Sequence, residues 1–220
     1  MPEIDFLTSV HNCTKRDYLA RVNVFDKSEC AVIAKQFGYD YWDGDRRFGY
    51  GGYAYDGRWR PVAEAMARHY GLKAQDKVLD IGCGKAHLLL ELTRAVPGLV
   101  VAGLDLSAYA IENAPEEIRP NLRQGCATSL PWPDKEFDLV FSINVLHNLY
   151  NYDLVAALRE ITRTSNKGAY VCVESYRSER EKMNLLYWQL TCECFYTPKE
   201  WLWLFGQAGY NGDYGFVYHE

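Results

Sequence analysis

Long apolar runs are missing from this sequence. Its longest ones, such as LVVAGL at residues 99–104, are far shorter than the roughly 20 residues that a membrane-spanning helix needs. The first ten residues, MPEIDFLTSV, also lack the basic start and apolar stretch of a secretory signal. We therefore expect a cytoplasmic protein without a membrane partner.

A basic excess is also missing. The chain has 24 Lys and Arg against 29 Asp and Glu, which gives a net charge of −5. Proteins that bind phosphate backbones need a concentrated basic face. We therefore expect no nucleic-acid partner, and the charge balance favours a small-molecule site.

The sequence also lacks an even number of cysteines. There are seven, and several of them, including Cys83 and Cys172, lie inside apolar strand-like runs. This favours reduced thiols over a disulfide framework. Cys192 and Cys194 have a spacing that suggests zinc, but a zinc site needs further Cys or His ligands, and no matching pair is present. We expect no bound metal.

From residue 77 onward, short apolar runs alternate with helix-like segments. The predicted strands are KVLDIG (77–82), LVVAGLD (99–105), NLRQGC (121–126), FDLVFSIN (137–144), AYVCVES (169–175) and DYGFVYHE (213–220). Near the end, Thr197 and Glu200 form a capping box that begins a helix, and Gly209 ends it. Nearly continuous apolar strands that alternate with helices are typical of a parallel sheet covered on both faces. The predicted fold is α/β with a doubly wound, mostly parallel sheet; residues 76–220 form the core and residues 1–75 an N-terminal arm and cap.

The turn DIGCGKAH, from Asp80 to His87, joins the first strand to a helix. Glycines in such a turn let a ligand approach the backbone, and the helix offers free N–H groups. A dinucleotide fingerprint, G-x-G-x-x-G, requires its third glycine at the position of His87. Histidine does not allow the close helix–strand contact that glycine gives. An NAD-dependent oxidoreductase is therefore the weaker interpretation.

The turn resembles the first motif of the class I S-adenosylmethionine-dependent methyltransferases, an acid followed by G-x-G-x-G, with Ala86 in place of the third glycine. Asp105, at the end of the second strand, and GCATSLPWPDKEFDLV (125–140) are similar to the next two family motifs. The resemblance covers roughly residues 75–175. It implies a Rossmann-like fold and S-adenosylmethionine as the cofactor.

The resemblance also assigns parts of the cofactor to residues. It implies that Asp80 holds the ammonium group, that the glycine turn carries the methionine part and that Asp105 bonds the ribose hydroxyls. Cys126 replaces the family acid that bonds the adenine, so we expect backbone groups around Cys126 and Ala127 to hold this ring. The predicted cofactor-binding residues are Asp80, Gly82, Cys83, Gly84, Asp105, Leu106, Cys126, Ala127, Asn144, Tyr50 and Tyr53.

Ligands of open α/β sheets bind beyond the carboxyl ends of the strands. There the chain has NVLH (144–147) after the fourth predicted strand and Glu174 near the end of the fifth. The enzyme must position the nucleophile, and a hydroxyl or ammonium acceptor also needs a base. His147, which titrates near neutrality, and Glu174 are the two candidates. Alternatively, His147 only bonds the substrate or caps a helix, and Glu174 forms an ion pair with Arg177.

A ribbon of rings, glycines and charges, YWDGDRRFGYGGYAYDGRWR (41–60), precedes the first strand and follows neither a helical nor a strand period. In the family, this part of the chain often folds over the cofactor as a lid, and aromatic faces attract a sulfonium. The alternative is a surface loop packed on the sheet. We predict substrate-binding residues in the ribbon, just after the NVLH segment and in YWQLTCECFYTP (187–198). They are Trp42, Arg46, Tyr55, Arg58, Tyr150, Tyr187, Glu193 and Tyr196.

The predicted function is methyl transfer from S-adenosylmethionine to a hydroxyl or amine of a small polar metabolite, such as a sugar or an anionic biosynthetic intermediate. The ribbon and CECFYTPKEW are similar to little-characterised bacterial methyltransferases of the type 11 kind. The alternatives are an NAD-dependent oxidoreductase and a non-catalytic sensor or partner subunit that binds S-adenosylmethionine. After Gly209 the chain has room for one strand where the family usually has an antiparallel pair. An exposed sheet edge would favour dimerisation, and we expect a monomer or a homodimer.

Overall fold

A parallel sheet forms the centre of the computed structural model, which describes residues 1–11 and 16–220. Its strands are β1 (Lys77–Ile81), β2 (Val100–Asp105), β3 (Leu122–Gln124), β4 (Phe137–Ile143), β5 (Ser165–Ser175) and β6 (Asp213–Tyr218). They lie in the order β3-β2-β1-β4-β5-β6, and every neighbouring pair is parallel. The predicted doubly wound α/β fold is confirmed.

The helices of the described residues precede the sheet and connect its strands. They are α1 (Thr8–His11), α2 (Tyr18–Asn23), α3 (Lys27–Ala34), α4 (Tyr39–Trp42), α5 (Arg60–Tyr70), α6 (His87–Ala95), α7 (Ala108–Glu112), α8 (Asn151–Thr164), α9 (Glu179–Trp188) and α10 (Pro198–Ala208). The capping box predicted for α10 is present, because the Thr197 side chain accepts from Glu200 N–H while the Glu200 carboxylate accepts from Thr197 N–H. Within residues 1–11 and 16–220, no helix is both long and apolar enough to cross a bilayer.

Two helical layers bury the two faces of the sheet. On one face, α8 and α10 pack on a core that includes Leu79 and Trp201. On the other, α5 and α6 pack on a core that includes Val78, Met66 and Leu89. Consecutive strand residues point to opposite faces, so both Val78 and Leu79 must be apolar. This double burial explains the nearly continuous apolar runs in the sequence.

The N-terminal 75 residues contribute to the core as well as to the site. Helix α5 is part of one helical layer, and Phe6 is buried in the same core. The ribbon is more regular at its ends than the sequence predicts, since α4 ends inside it at Trp42 and α5 begins at Arg60. Burial of the Trp42 side chain outweighs the low helix propensity of its neighbours, as tertiary packing commonly does.

The outer edge of β6 is partly covered by the start of the chain. Ile4 N–H donates to Tyr214 O at 2.7 Å, and Tyr214 N–H donates to Pro2 O at 3.1 Å. The single strand after Gly209 agrees with the prediction, but its parallel orientation and its cover do not follow from the sequence. Because residues 2–4 occupy backbone groups at this edge, the reason given above for dimerisation is weakened.

Gly215 of β6 lies where this cover is tightest. A Cβ atom there would lie 2.7 Å from Ile4 O and would also overlap the Tyr170 hydroxyl. We expect Gly215→Ala to lower the free energy of unfolding by about 1–3 kcal/mol, measured by urea denaturation, because overpacking forces the backbone to shift. Gly206→Ala in α10 is the control, since a Cβ there meets nothing within 4 Å, and it should stabilise by roughly 0.5–1 kcal/mol. A Gly215→Ala protein as stable as the wild type would contradict this account of the edge.

Candidate active site

The glycine turn between β1 and α6 begins the site. Gly82 N–H and Cys83 N–H donate to Leu104 O at 2.7 and 3.1 Å, which ties the turn to β2. Gly82 and Gly84 have φ values of +78° and +55°, a backbone region that favours glycine. A Cβ on Gly84 would lie 2.6 Å from Trp42 Cη2, and one on Gly82 would overlap the Val145 side chain. The turn therefore has neighbours on both sides that leave no room for a side chain.

Two cavities lie against this turn, at the carboxyl end of the sheet. The apolar cavity, of about 190 Å³, is lined in part by Gly82, Asp105, Leu106, Cys126 and Ala127. The narrow cavity, of about 70 Å³, is lined in part by Asp80, Gly82, Cys83, Gly84 and Tyr53. Both cavities also share Tyr50 and Asn144. The structure thus brings all the residues predicted to bind the cofactor to these two adjoining spaces.

Two carboxyl groups lie at these cavities, one on the buried Asp80 and one on the half-buried Asp105. Asp105 Oδ2 accepts from Gly84 N–H at 2.7 Å, and its Oδ1 accepts from Ser107 N–H at 2.8 Å. Burial raises the pKa of Asp80 well above its usual range, and the nearby charge of Asp105 adds to this effect. A cationic group next to Asp80 would offset both the burial of its carboxylate and the repulsion from Asp105. This corner of the site is therefore suited to an ammonium group.

The ribbon is fastened over the glycine turn by an ion pair and an indole. Asp43 receives two bonds from Lys85 Nζ, at 2.7 and 2.6 Å, and one each from Tyr109 Oη and Tyr53 N–H. Trp42 is buried, and its Nε1–H lies 3.0 Å from Ser107 Oγ. These contacts join the ribbon to residues that flank both the glycine turn and β2.

Aromatic rings of the ribbon form one wall of the site. Tyr50 stacks on Trp42 at 5.3 Å and 9°, and it contacts Tyr53 at 4.5 Å. Tyr53 in turn stacks on His87 at 4.9 Å and 16°. Burial, aided by the charge of Lys85, lowers the pKa of His87 to about 4, so this ring is neutral. The sequence marked His87 only as a missing glycine, because its stacking partner lies 34 residues earlier in the chain.

A polar cavity of about 280 Å³ adjoins the other two, and Tyr50 and Asn144 line all three. Of the predicted substrate-binding and catalytic residues, Arg46, Arg58, His147 and Glu174 line it. The sequence interpretation missed further lining residues that belong to no motif, namely His11, Arg16, Arg21, Trp188 and Thr191. The 187–198 stretch lines this cavity through residues 188–191.

The other predicted substrate-binding residues lie elsewhere. Trp42 lines the apolar and narrow cavities, and Tyr55, Tyr150, Tyr187, Glu193 and Tyr196 line none of the three. The Tyr55 hydroxyl bonds to Glu91 of α6, and the Glu193 carboxylate forms an ion pair with Lys35. The Tyr196 hydroxyl donates to Asn151 Oδ1 at 2.5 Å, and Tyr150 is 55% exposed. The structure therefore places Tyr55, Glu193 and Tyr196 with partners outside the three cavities, not along the cavity walls.

His147 and Glu174 lie side by side at the inner end of the polar cavity. Glu174 N–H donates to His147 Nδ1 at 3.2 Å, and His147 Nε2 lies 3.6 Å from Glu174 Oε2. Glu174 Oε1 accepts from Gln189 Nε2 and lies 3.1 Å from His219 Nε2. Glu174 Oε2 is buried and has no hydrogen-bond partner among the described residues.

This geometry argues against His147 as the base. Burial lowers the pKa of His147, so its ring is neutral near pH 7. A backbone N–H can only donate, so Nδ1 is the acceptor nitrogen and Nε2 carries the proton. A neutral ring in this tautomer can donate at Nε2 but has no free lone pair with which to take up a proton.

Glu174 keeps its negative charge in this environment. Burial by itself would raise the pKa of Glu174, but His147, His219 and the Gln189 amide outweigh it and hold the pKa at about 2. The alternative partner considered above, Arg177, bonds to Glu181 and Glu220 instead. Glu174 therefore lines the polar cavity as an ionised carboxylate, and its Oε2 is buried without a hydrogen-bond partner among the described residues.

Asn144 sits where the three cavities meet. It has a φ of +58°, which is uncommon for a residue other than glycine. Its Oδ1 is buried without a hydrogen-bond partner in the described part of the chain. Strained residues and unpaired buried acceptors persist where function requires them. A ligand donor at this junction would satisfy the Asn144 oxygen.

Comparison with known proteins agrees with this site. Residues 79–173 match a family model described as a methyltransferase domain. The chain is 34% identical over 113 residues to the uncharacterised methyltransferase C1B3.06c of Schizosaccharomyces pombe, covering 46% of this chain and 40% of that protein. It is 30% identical over 137 residues to the demethylmenaquinone methyltransferase of Roseiflexus sp. (strain RS-1), covering 60% and 56%. The chain thus spans about half the length of the curated relatives it matches.

Solved structures share the fold. A SAM-dependent methyltransferase from Archaeoglobus fulgidus aligns over 68% of both chains with a TM-score of 0.54 and 23% identity. The [4+2]-cyclase SpnF aligns over 84% of this chain and 69% of its own, with a TM-score of 0.55 and 19% identity. The family model matches the segment that contains the glycine turn, Asp105 and most of β5. Residues 79–173 therefore match a methyltransferase domain, and the shared fold agrees with the class I resemblance, which implies S-adenosylmethionine as the cofactor.

Proposed function

We propose that this chain transfers a methyl group from S-adenosylmethionine to a hydroxyl group of a small polar molecule bound in the polar cavity. The observation that carries the proposal is the free, buried Oε2 of Glu174 in this cavity. The polar cavity meets the two cavities that carry the family's cofactor motifs at Tyr50 and Asn144. An acceptor there would lie between the carboxylate and the cofactor.

The residues around the apolar and narrow cavities fit the cofactor. Asp80 suits its ammonium group, because a buried carboxylate is stabilised by a cation. Asp105 suits the ribose hydroxyls, and backbone groups at Cys126 and Ala127 suit the adenine. Asn144 Oδ1 is an acceptor in need of a donor. When bound, S-adenosylmethionine supplies an electrophilic methyl group on a sulfonium.

Glu174 is the proposed proton acceptor. A carboxylate with a pKa of about 2 is a weak base, and it would not deprotonate an ammonium group before reaction. An oxygen that is gaining a methyl group becomes strongly acidic, so even a weak base can take its proton as the new bond forms. This argument favours a hydroxyl over an amine. His219 and the Gln189 amide contact Glu174 Oε1 and hold the carboxylate in place.

The ribbon is proposed to act as a lid. Its rings line all three cavities, and Tyr50 keeps 41% of its surface exposed at their junction. Aromatic faces attract a sulfonium without offering a nucleophile that competes with the acceptor. The bonds of Asp43 to Lys85 and Tyr109 would hold the lid closed, and the ribbon's glycines would let it open.

Other functions fit the site less well. An apolar acceptor such as demethylmenaquinone, named for several relatives, would meet a cavity lined by arginines and histidines. For NAD, the position of the missing third glycine is filled by His87, which is buried against Tyr53. A sensor that binds S-adenosylmethionine would have no use for the ionised Glu174 beside an empty acceptor space. These contrasts support the methyltransferase proposal.

The assignment of Asp80 predicts a pH dependence of cofactor affinity. The pKa of Asp80 is raised in the free protein, so the carboxyl is protonated below that pKa and must lose its proton to bind an ammonium group. The affinity for S-adenosylhomocysteine, measured by calorimetry, should therefore fall by up to about tenfold per pH unit below this pKa. Asp80→Asn should abolish this dependence, whereas the exposed Asp134→Asn should keep it. Identical pH profiles for wild type and Asp80→Asn would exclude the assignment.

The lid predicts a difference between two forms of the cofactor. Tyr50→Ala should weaken binding of the cationic S-adenosylmethionine by roughly 3- to 30-fold, the range expected for a lost cation–π contact. Binding of the neutral sulfur in S-adenosylhomocysteine should change less. Tyr39→Ala, which removes an exposed ring outside the three cavities, is the control. Equal losses for both ligands would show that Tyr50 does not face the sulfonium.

The role of Glu174 is tested by turnover. We expect wild type to release S-adenosylhomocysteine with at least one member of a panel of small hydroxylated acids and phosphates, and Glu174→Gln to lower kcat by at least about 100-fold. The affinity for S-adenosylhomocysteine should stay the same in both. Glu136→Gln, beside Lys77 at the amino end of the sheet, is the control. Cofactor binding without turnover for any acceptor would favour the sensor alternative.

A further inference from the structure

Three arginines surround one indole in the wall of the polar cavity. The guanidinium carbons of Arg21, Arg46 and Arg16 lie 4.8, 5.2 and 5.4 Å from the centre of the Trp188 ring. All four residues line the cavity. Arg16 and Arg21 are half-buried and Arg46 is exposed, and partial desolvation lowers the pKa of each guanidinium. Although the chain carries a net negative charge, three positive charges therefore lie close together around Trp188.

Two members of this arginine cluster, Arg21 and Arg46, have no carboxylate partner among the described residues. Arg21 donates to two backbone oxygens, of Trp188 at 2.9 Å and of Arg46 at 3.2 Å. Neither Arg21 nor Arg46 forms an ion pair with any described residue. By contrast Arg58, which lines the same cavity, pairs with Asp56 at 2.6 Å.

The only described carboxylate that lines the polar cavity is Glu174. Burial lowers the pKa of His11 to about 4, with Arg16 and His219 adding to the effect, and it also lowers the pKa of His147. These histidines therefore add no positive charge near pH 7. Three guanidinium groups and one carboxylate leave an excess of two positive charges, which a dianion would balance.

We propose that the arginine cluster binds the phosphate of the acceptor, so that the substrate is a small hydroxylated phosphate monoester. This inference rests on the proposed function, which supplies the reacting hydroxyl and Glu174. A phosphate monoester carries close to two negative charges at neutral pH and offers three acceptor oxygens to guanidinium donors. A single carboxylate would leave one positive charge unbalanced. The cavity volume of about 280 Å³ is near the lower end of known ligand sites, roughly 300–1,000 Å³, and suits a molecule of this size.

The arginine cluster is not placed to hold the carboxylate of the cofactor. The narrow cavity, which contains Asp80 and the glycine turn, has no arginine among its described lining residues. The cluster also lies at the side of the polar cavity formed by α2, α9 and the ribbon. A phosphate there would join Arg46 of the ribbon to Arg21 and Trp188, and so link closure of the lid to the presence of the acceptor.

The test is a calorimetric titration of inorganic phosphate into the protein saturated with S-adenosylhomocysteine, at about pH 8 and constant ionic strength. Wild type should bind phosphate, and Arg21→Gln and Arg46→Gln should each weaken this binding by at least about tenfold, because each removes a charge-assisted hydrogen bond. Arg47→Gln is the matched control, since Arg47 is the sequence neighbour of Arg46 but lies over Phe25 and Phe48. It should bind phosphate as wild type does.

Three outcomes would overturn the inference: acetate binding as tightly as phosphate, phosphate displacing S-adenosylhomocysteine, or equal phosphate affinity in all variants. Unchanged affinity for S-adenosylhomocysteine in Arg21→Gln and Arg46→Gln would show that both variants are folded. Loss of phosphate binding in these variants, with cofactor binding intact, supports the phosphate site. If instead no form of the protein binds S-adenosylhomocysteine but phosphate binding follows the expected pattern, the proposed function fails and the anion site remains.

Discussion

The site depends on how closely the chain packs around the glycine turn after β1. Trp42 of the ribbon lies against Gly84 on one side, and Val145 of the loop after β4 lies against Gly82 on the other. No side chain fits at either glycine. The turn therefore fixes the distance between the ribbon and the sheet, and the apolar and narrow cavities are the space that remains between them. A larger residue at either position would separate these parts.

Acidic and basic side chains line different parts of the site. The carboxyl groups of Asp80 and Asp105 lie at the narrow and apolar cavities, whereas the arginine cluster lies in the wall of the polar cavity. A cationic cofactor and an anionic acceptor would each be attracted to its own side, so that their reacting groups meet at Asn144 between them. Such electrostatic complementarity orients ligands as well as binding them. Glu174 also lines the polar cavity, and His147, His219 and Gln189 stabilise its ionised form.

The fold does not by itself specify the reaction. The [4+2]-cyclase SpnF and a methyltransferase from Archaeoglobus fulgidus resemble this chain about equally well in structure. Function is determined by residues placed on the fold. In the function proposed for this chain, those residues are Glu174, the side chains around its carboxylate and the charged lining of the polar cavity. They distinguish this site from one built for an apolar acceptor.

The sequence determined the parts that depend on neighbours along the chain. The strand runs, the capping box of α10 and the glycine turn each follow from short-range geometry, and the cofactor-binding residues predicted from these motifs line the expected cavities. Asp105, which the family spacing selected, ends a strand next to β1 and lines the apolar cavity. Composition could not separate Tyr50, which lines the cavities, from Tyr55 of the same ribbon, which bonds to α6.

Tertiary structure decided the acceptor side of the site. Arg21 meets the backbone of Trp188 across 167 positions of sequence, and neither residue belongs to a motif. The protonated nitrogen of His147 is set by a backbone N–H from β5, which no property of the histidine itself reveals. The physical reason is the range of the interactions. A turn or cap is formed by adjacent residues with required conformations, whereas a cavity wall is formed by side chains that only the folded chain brings together.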